Sequence, residues 1–163
     1  MPVGTSAILA DLPRKRVCSG CVRFTEVSLR NPDGAEAVPF CGGGVEIRLG
    51  LDAKEPLNAL ELAVSVKSAN GQTLSSFPTR LTGVPRKMPA GSFSARLLIP
   101  RLPVPRGVYD LAVSAKEQGV LADFLAIALR FPVEDGDFFG TGRNAGGGFA
   151  GNVVLCDHNW AFG

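Results

Sequence analysis

Cys18, Cys21, Cys41 and Cys156 are the first side chains with a chemistry to offer, because Cys18-Ser19-Gly20-Cys21 is a C-x-x-C pair. Zinc favours four nitrogen or sulfur ligands. A site built from Cys18, Cys21, Cys41 and either Cys156 or His158 is therefore one reading. It lacks the second C-x-x-C or paired histidines that such sites carry. A thioredoxin-like role needs a βαβ pattern after the pair, and none follows. The plainer expectation is four reduced thiols, with no metal and no other cofactor.

Other constellations are weaker. Glu134, Asp135 and Asp137 could suggest glycoside hydrolysis, which needs two carboxylates held at a fixed separation on rigid elements. These acids sit beside glycines in a loop, where carboxylates more often cap turns. His158 is the one histidine, and no nucleophile lies beside it in sequence to make a triad. Gly146-Gly147-Gly148-Phe149-Ala150-Gly151 matches G-x-G-x-x-G in form, but no helical pattern follows to receive a dinucleotide. The chain has no G-x-S-x-G elbow, no H-E-x-x-H and no EF-hand loop. It also lacks a G-x-x-x-x-G-K-[ST] phosphate loop, so these residues alone do not hydrolyse ATP. The expectation is a protein that is not an enzyme.

Composition narrows the class. At 163 residues one domain and one core suffice. Hydrophobic residues at 45% and charged residues at 20% place the chain among ordinary globular domains. A net charge of +2 argues against a nucleic-acid partner. Arg14-Lys15-Arg16 is the one basic cluster, read as a solvated tail. No apolar run approaches the roughly 20 residues needed to span a bilayer, so direct membrane insertion is not expected. The short apolar patch Ala7–Ala10 precedes its basic residues instead of following them, against a secretory signal. A cytoplasmic location is expected.

The elements that must position any site are strands. Residues 1–21 lack sustained periodicity and read as a flexible arm or linker; residues 22–160 read as the domain. Val22–Leu29 alternates, with Thr25, Val27 and Leu29 on one face, and stops at Asn31-Pro32-Asp33-Gly34. Val45, Ile47, Leu49 and Leu51 alternate with polar residues or glycine. Leu60, Leu62, Val64 and Val66 alternate with Glu61, Ala63, Ser65 and Lys67, and Asn70-Gly71 turns the chain into a strand over 72–77. Further strands are predicted over 92–99, 108–115 and 123–133, the last a near-continuous apolar run covered on both faces. Residues 136–151 read as a mobile glycine-rich loop, and 152–160 as a closing strand. No segment of ten or more residues shows a 3.6 period. Many short strands with Gly- and Pro-rich turns predict an all-β sandwich of two antiparallel sheets.

Taken in order, several segments resemble one family, the C-terminal domain of Wzt-type proteins. They are VRFTEVSLRNPDG (22–34), VEIRLGLDA (45–53), SANGQTL (68–74), PRGVYDLAVSAKEQG (105–119), DFLAIALRFPVEDGDFFGTGR (123–143) and VVLCDHNW (153–160). The most telling is the pattern Gly107-x-Tyr109-x-Leu111-x-Val113. Proteins of this type are ATPase subunits of ABC transporters that export O-antigen polysaccharide. The resemblance implies an immunoglobulin-like or jelly-roll sandwich that recognises the exported polysaccharide and dimerises by exchanging its C-terminal strand. It also implies the transporter ATPase and membrane subunits as partners, with a cytoplasmic location peripheral to the inner membrane.

In such a fold the strands at 60–67, 108–116 and 123–133 lie side by side. Their outward residues Glu61, Ser65, Lys67, Asp110, Ser114, Lys116 and Arg130 form the candidate carbohydrate face, with a plain solvated face as the alternative. Tyr109 is expected in the core or at a corner. Val153, Val154, Leu155 and Trp160 are the candidate dimerisation residues, with Trp160 plugging a partner's core.

Overall fold

The computed structural model describes residues 2–144 and 153–162. Its strands are β1 (Ser6–Ile8), β2 (Val22–Arg30), β3 (Val45–Ala53), β4 (Leu57–Ser68), β5 (Thr73–Pro78), β6 (Arg86–Met88), β7 (Gly91–Ile99), β8 (Gly107–Glu117) and β9 (Val120–Val133). One sheet runs β1-β2-β3-β7; the other runs β5-β4-β8-β9, with β6 also on β4. Paired strands are antiparallel throughout. The fold is thus the expected all-β sandwich, and among the described residues the only helical turn is a 3-10 turn at Thr79–Leu81.

Alternation explains the core. Ile47, Leu49 and Leu51 from β3 meet Tyr109, Leu111 and Val113 from β8 between the sheets, all of them buried. Each large side chain buried there contributes about 1.5–3 kcal/mol of apolar transfer. Asn70-Gly71 closes the β4–β5 hairpin. Gly71 takes φ +88°, a left-handed value that glycine adopts freely.

The structure corrects several expectations. Thr25 does not share a face with Val27 and Leu29. A bulge between Phe24 and Glu26 shifts the register, so Phe24 and Val27 are both buried and Thr25 is not. The arm is not free over its length either. β1 pairs with β2, Leu9 is wholly buried, and its N–H bonds the carbonyl of bulged Thr25 at 2.8 Å. Arg14 is no solvated tail residue: its guanidinium bonds the Asp123 carboxylate, with side-chain exposures of 7% and 0%.

β9 is the edge of its sheet, not a strand covered on both faces, and Ala126 is exposed on it. Its free backbone is partly covered by the arm. Gly4 N–H bonds Arg130 O at 2.9 Å, Ser19 N–H bonds Leu121 O at 3.0 Å, and Gly20 N–H bonds Ala122 O at 2.8 Å. Covering an edge in this way discourages its pairing with another chain.

The expected closing strand is also absent among residues 153–160. They carry no regular secondary structure, and Leu155 N–H bonds Pro103 O at 2.7 Å. In the glycine-rich loop, Asp137 accepts the amides of Thr141 and Gly142 at 3.1 and 2.6 Å. The G-x-G-x-x-G stretch at 146–151 lies outside the described residues.

Candidate functional site

The register of β4, β8 and β9 brings the expected polar residues onto one outer face. Glu61 stands opposite Lys116, Ala63 opposite Ser114, and Ser65 opposite Ala112. Further along, Lys67 stands opposite Asp110, and Asp110 opposite Arg130. The reason is parity: Tyr109, Leu111, Val113 and Ala115 fill the core, so Asp110, Ala112, Ser114 and Lys116 turn outward.

The face divides into two chemically distinct ends. At one, the Arg130 guanidinium grips Asp110 through two bonds of 2.7 and 3.0 Å. The hydrogen bond to Asp110, and then its charge, push the Arg130 pKa up. Asp110 itself is only 3% exposed. Its oxygens are committed to Arg130, so this end is a cross-strand clasp more than an open ligand surface. Lys67 reaches from the same end to the carbonyl of Ala126 at 3.3 Å.

At the other end lies a depression of about 270 Å3 lined by Glu61, Ser76, Pro78, Arg80, Ser114 and Lys116. Here a carboxylate, two hydroxyls, an ammonium and a guanidinium surround the depression. Such groups both donate and accept hydrogen bonds, as a ring of hydroxyls requires. Ser65 Oγ lies 2.6 Å from Ser76 Oγ, which ties β5 to β4 beside the depression. Ser76, Pro78 and Arg80 are site residues that sequence reasoning missed. The signal was the β4–β5 hairpin, but a register shift between Val66 and Lys67 had to be known to place Ser76 opposite Ser65.

Other candidates are not assembled. Among the described residues no group of three or more His, Cys, Asp or Glu could hold a metal ion. Cys18 and Cys21 precede β2, Cys41 is buried, and Cys156 is exposed on the C-terminal segment. Burial pushes the Cys41 thiol pKa up, and the charge of Asp135 adds to it. Of the loop acids, Asp137 caps the turn described above, and Asp135 lies 3.8 Å from Arg106. His158 sets Nδ1 2.9 Å from the Cys156 carbonyl and packs edge-on against Phe139.

The candidate dimerisation residues lie on the surface. Val153 and Leu155 are half-buried, Val154 is exposed, and Trp160 is 79% exposed. Arg101 anchors the segment through Asp157 at 2.8 and 3.1 Å. Tyr109 occupies the expected corner: it is fully buried and its hydroxyl donates to the Pro105 carbonyl at 2.6 Å.

The family model described as the Wzt C-terminal domain matches residues 13–150. Among solved structures, a crystal structure of the C-terminal domain of wzt is similar over 95% of this chain and 90% of that chain, with 12% identity and a TM-score of 0.70. At that identity the likeness bears on the fold. A Niemann-Pick type C2 protein from Japanese carpenter ant aligns over 76% of this chain and 100% of that chain, with 8% identity and a TM-score of 0.45, too slight to carry an argument. No curated protein matches the sequence.

Proposed function

This chain belongs to the Wzt C-terminal domain family, and on that premise we propose that it is a non-catalytic module that recognises an O-antigen-type polysaccharide for export by an ABC transporter. The observation that supports this reading is the depression between Glu61, Ser114 and Lys116 on the outer face of the β5-β4-β8-β9 sheet. Rigid strands carry most of its groups, so a sugar meets donors and acceptors already in place. The transporter's ATPase and membrane subunits are the proposed partners. The proposed location is the cytoplasmic face of the inner membrane.

Calorimetric titration with purified O-antigen-type polysaccharides tests this. Lys116→Ala should weaken binding about ten-fold, as loss of a charged hydrogen bond does. Glu61→Gln with Ser114→Ala should weaken it further. Unchanged affinity in the triple variant would remove the depression as the site. Arg130→Ala is a poorer probe, because it leaves Asp110 buried and unpaired.

A second reading is a homodimer formed through residues 153–162. Trp160 and Phe162 are 79% and 91% exposed and stack with centroids 6.2 Å apart, an apolar pair with no cover of its own. Trp160→Ser should shift the protein from dimer to monomer in sedimentation equilibrium, and Lys116→Ala should leave the mass alone. A monomeric parent protein would end this reading without touching the first.

A further inference from the structure

The two long sides of the sandwich are closed differently. The arm covers the side at β2 and β9. On the opposite side, β5 and β7 are edges with no further strand partner among the described residues, and inward side chains such as Phe77, Phe93 and Leu97 are only partly buried. Between these edges an apolar cleft of about 410 Å3 is lined by Leu62, Phe77, Leu81, Ala95, Leu97 and Leu98, among others. The 3-10 turn at Thr79–Leu81 and the following loop into β6 form its lip. A second depression beneath that lip shares Leu62, Thr79 and Thr82 with the cleft, so the two are continuous.

Three aliphatic side chains stand out along this margin. Leu81 is 71% exposed, Val84 80% and Leu98 63%. Around them are Arg80, Arg86 and Lys87, and among the described residues none of these three forms an ion pair. Residues 62–109 hold seven Lys and Arg and no Asp or Glu. Neither depression has an acidic residue in its lining. Protruding aliphatic groups flanked by unpaired cations are the pattern of a surface that sits in a lipid interface.

We propose that this margin docks on an anionic lipid bilayer, with Leu81 and Val84 entering the interface and Arg80, Arg86 and Lys87 facing the headgroups. The inference goes beyond polysaccharide recognition and concerns the margin beside the sugar depression. The two share Ser76 and Pro78, and Arg80 of the margin also lines the depression; Leu81, Val84, Arg86 and Lys87 belong to the margin alone. A glycan would be met by planar polar groups or aromatic rings, not by leucine and valine. A second copy of the chain docking here about a two-fold axis would bring like charges together, which opposes association. The contact is peripheral: no helix among the described residues is long and apolar enough to cross a membrane.

Vesicle flotation of the 163-residue chain tests it. The protein should float with phosphatidylcholine vesicles containing about one-third phosphatidylglycerol and not with pure phosphatidylcholine, and added salt should release it. Arg86→Gln with Lys87→Gln should weaken binding about 25-fold, at about five-fold per charge. Leu81→Ser with Val84→Ser should also abolish flotation, although no charge changes. These side chains are exposed, so both variants should melt as the parent does. Failure to float with the anionic vesicles overturns the proposal. Undiminished flotation of the Leu81/Val84 variant, with dextran sulfate competing equally for both proteins, overturns it in favour of a polyanion site. Lys116→Ala should leave flotation unchanged, so failure of the sugar reading and failure of this one are separately visible.

Discussion

Replacing Asp123 by alanine lowers the unfolding free energy in urea by about 3–5 kcal/mol, the cost of leaving a buried charge without its partner. Asp123 is fully buried and the Arg14 side chain nearly so. One carboxylate oxygen accepts Arg14 Nε at 2.7 Å and the Phe124 amide at 3.0 Å. The other accepts the Phe24 amide at 2.8 Å and Arg14 Nη2 at 3.3 Å. The guanidinium spends its remaining donors on the carbonyls of Leu9, Leu12 and Phe24, at 2.8, 2.6 and 2.9 Å. Alanine at 123 strands the cation among those carbonyls and frees two amides. Arg14→Ala strands the carboxylate instead, with a loss of similar size. The double variant Arg14→Leu with Asp123→Leu should lose less than the sum of the single changes, because neither charge then remains buried. The same variants should speed amide exchange in β1, since the pair ties the arm to β2 and β9. A loss below about 1 kcal/mol for Asp123→Ala would mean that the pair is solvated and the arm is not held by it.

That network marks where legibility in the sequence stopped. Strand positions over 45–53 and 60–67 were readable because each face has one environment and the side-chain period is two. The neighbouring order of β4, β8 and β9 followed from the sandwich, and the outer face followed from parity. What failed needed knowledge of a partner distant in sequence. Arg14 and Asp123 are 109 residues apart. An arginine in a basic triplet reads as solvated until the carboxylate that neutralises it is known. Strict alternation puts Thr25 on the wrong face because a single inserted residue at the bulge reverses the phase, and nothing local announces it. β1 and β6 have three residues each, too few for a period to show. In the candidate depression, Glu61, Ser114 and Lys116 were legible from alternation. Ser76 and Arg80 depended on hairpin register and on the 3-10 turn beyond it. Tyr109 was legible for a different reason: a tyrosine opening a strand after a proline-rich connection has a backbone carbonyl within reach.

Tyr109→Ala should cost about 3–5 kcal/mol, as truncating a buried aromatic does, and Tyr109→Phe about 1–3 kcal/mol, the cost of leaving the buried Pro105 carbonyl without its donor. The ring is fully buried and lies 6.1 Å from Phe131 between centroids. Its hydroxyl pins the connection 100–107, whose Pro103 carbonyl receives the C-terminal segment through Leu155. Asp110, next along β8, turns to the outer face and clasps Arg130. The corner therefore fixes both the loop that holds the C-terminus and the strand that carries part of the polar face. The pH dependence follows from the same burial. Desolvation, with the charge of Cys41 adding to it, pushes the phenol pKa up to about 12, above its ordinary value near 10. The neutral phenol is thus favoured in the folded protein. Its contribution is complete below about pH 10 and is lost as pH rises from there towards about 12. Tyr109 is the chain's only tyrosine, so phenolate absorbance reports this group alone. The native protein should titrate well above the urea-unfolded protein, and Tyr109→Phe should lose the tyrosine-linked fall in stability across that window. Coincident titration of folded and unfolded protein would show the hydroxyl open to solvent, and the corner could then not be what holds the 100–107 connection against the sandwich.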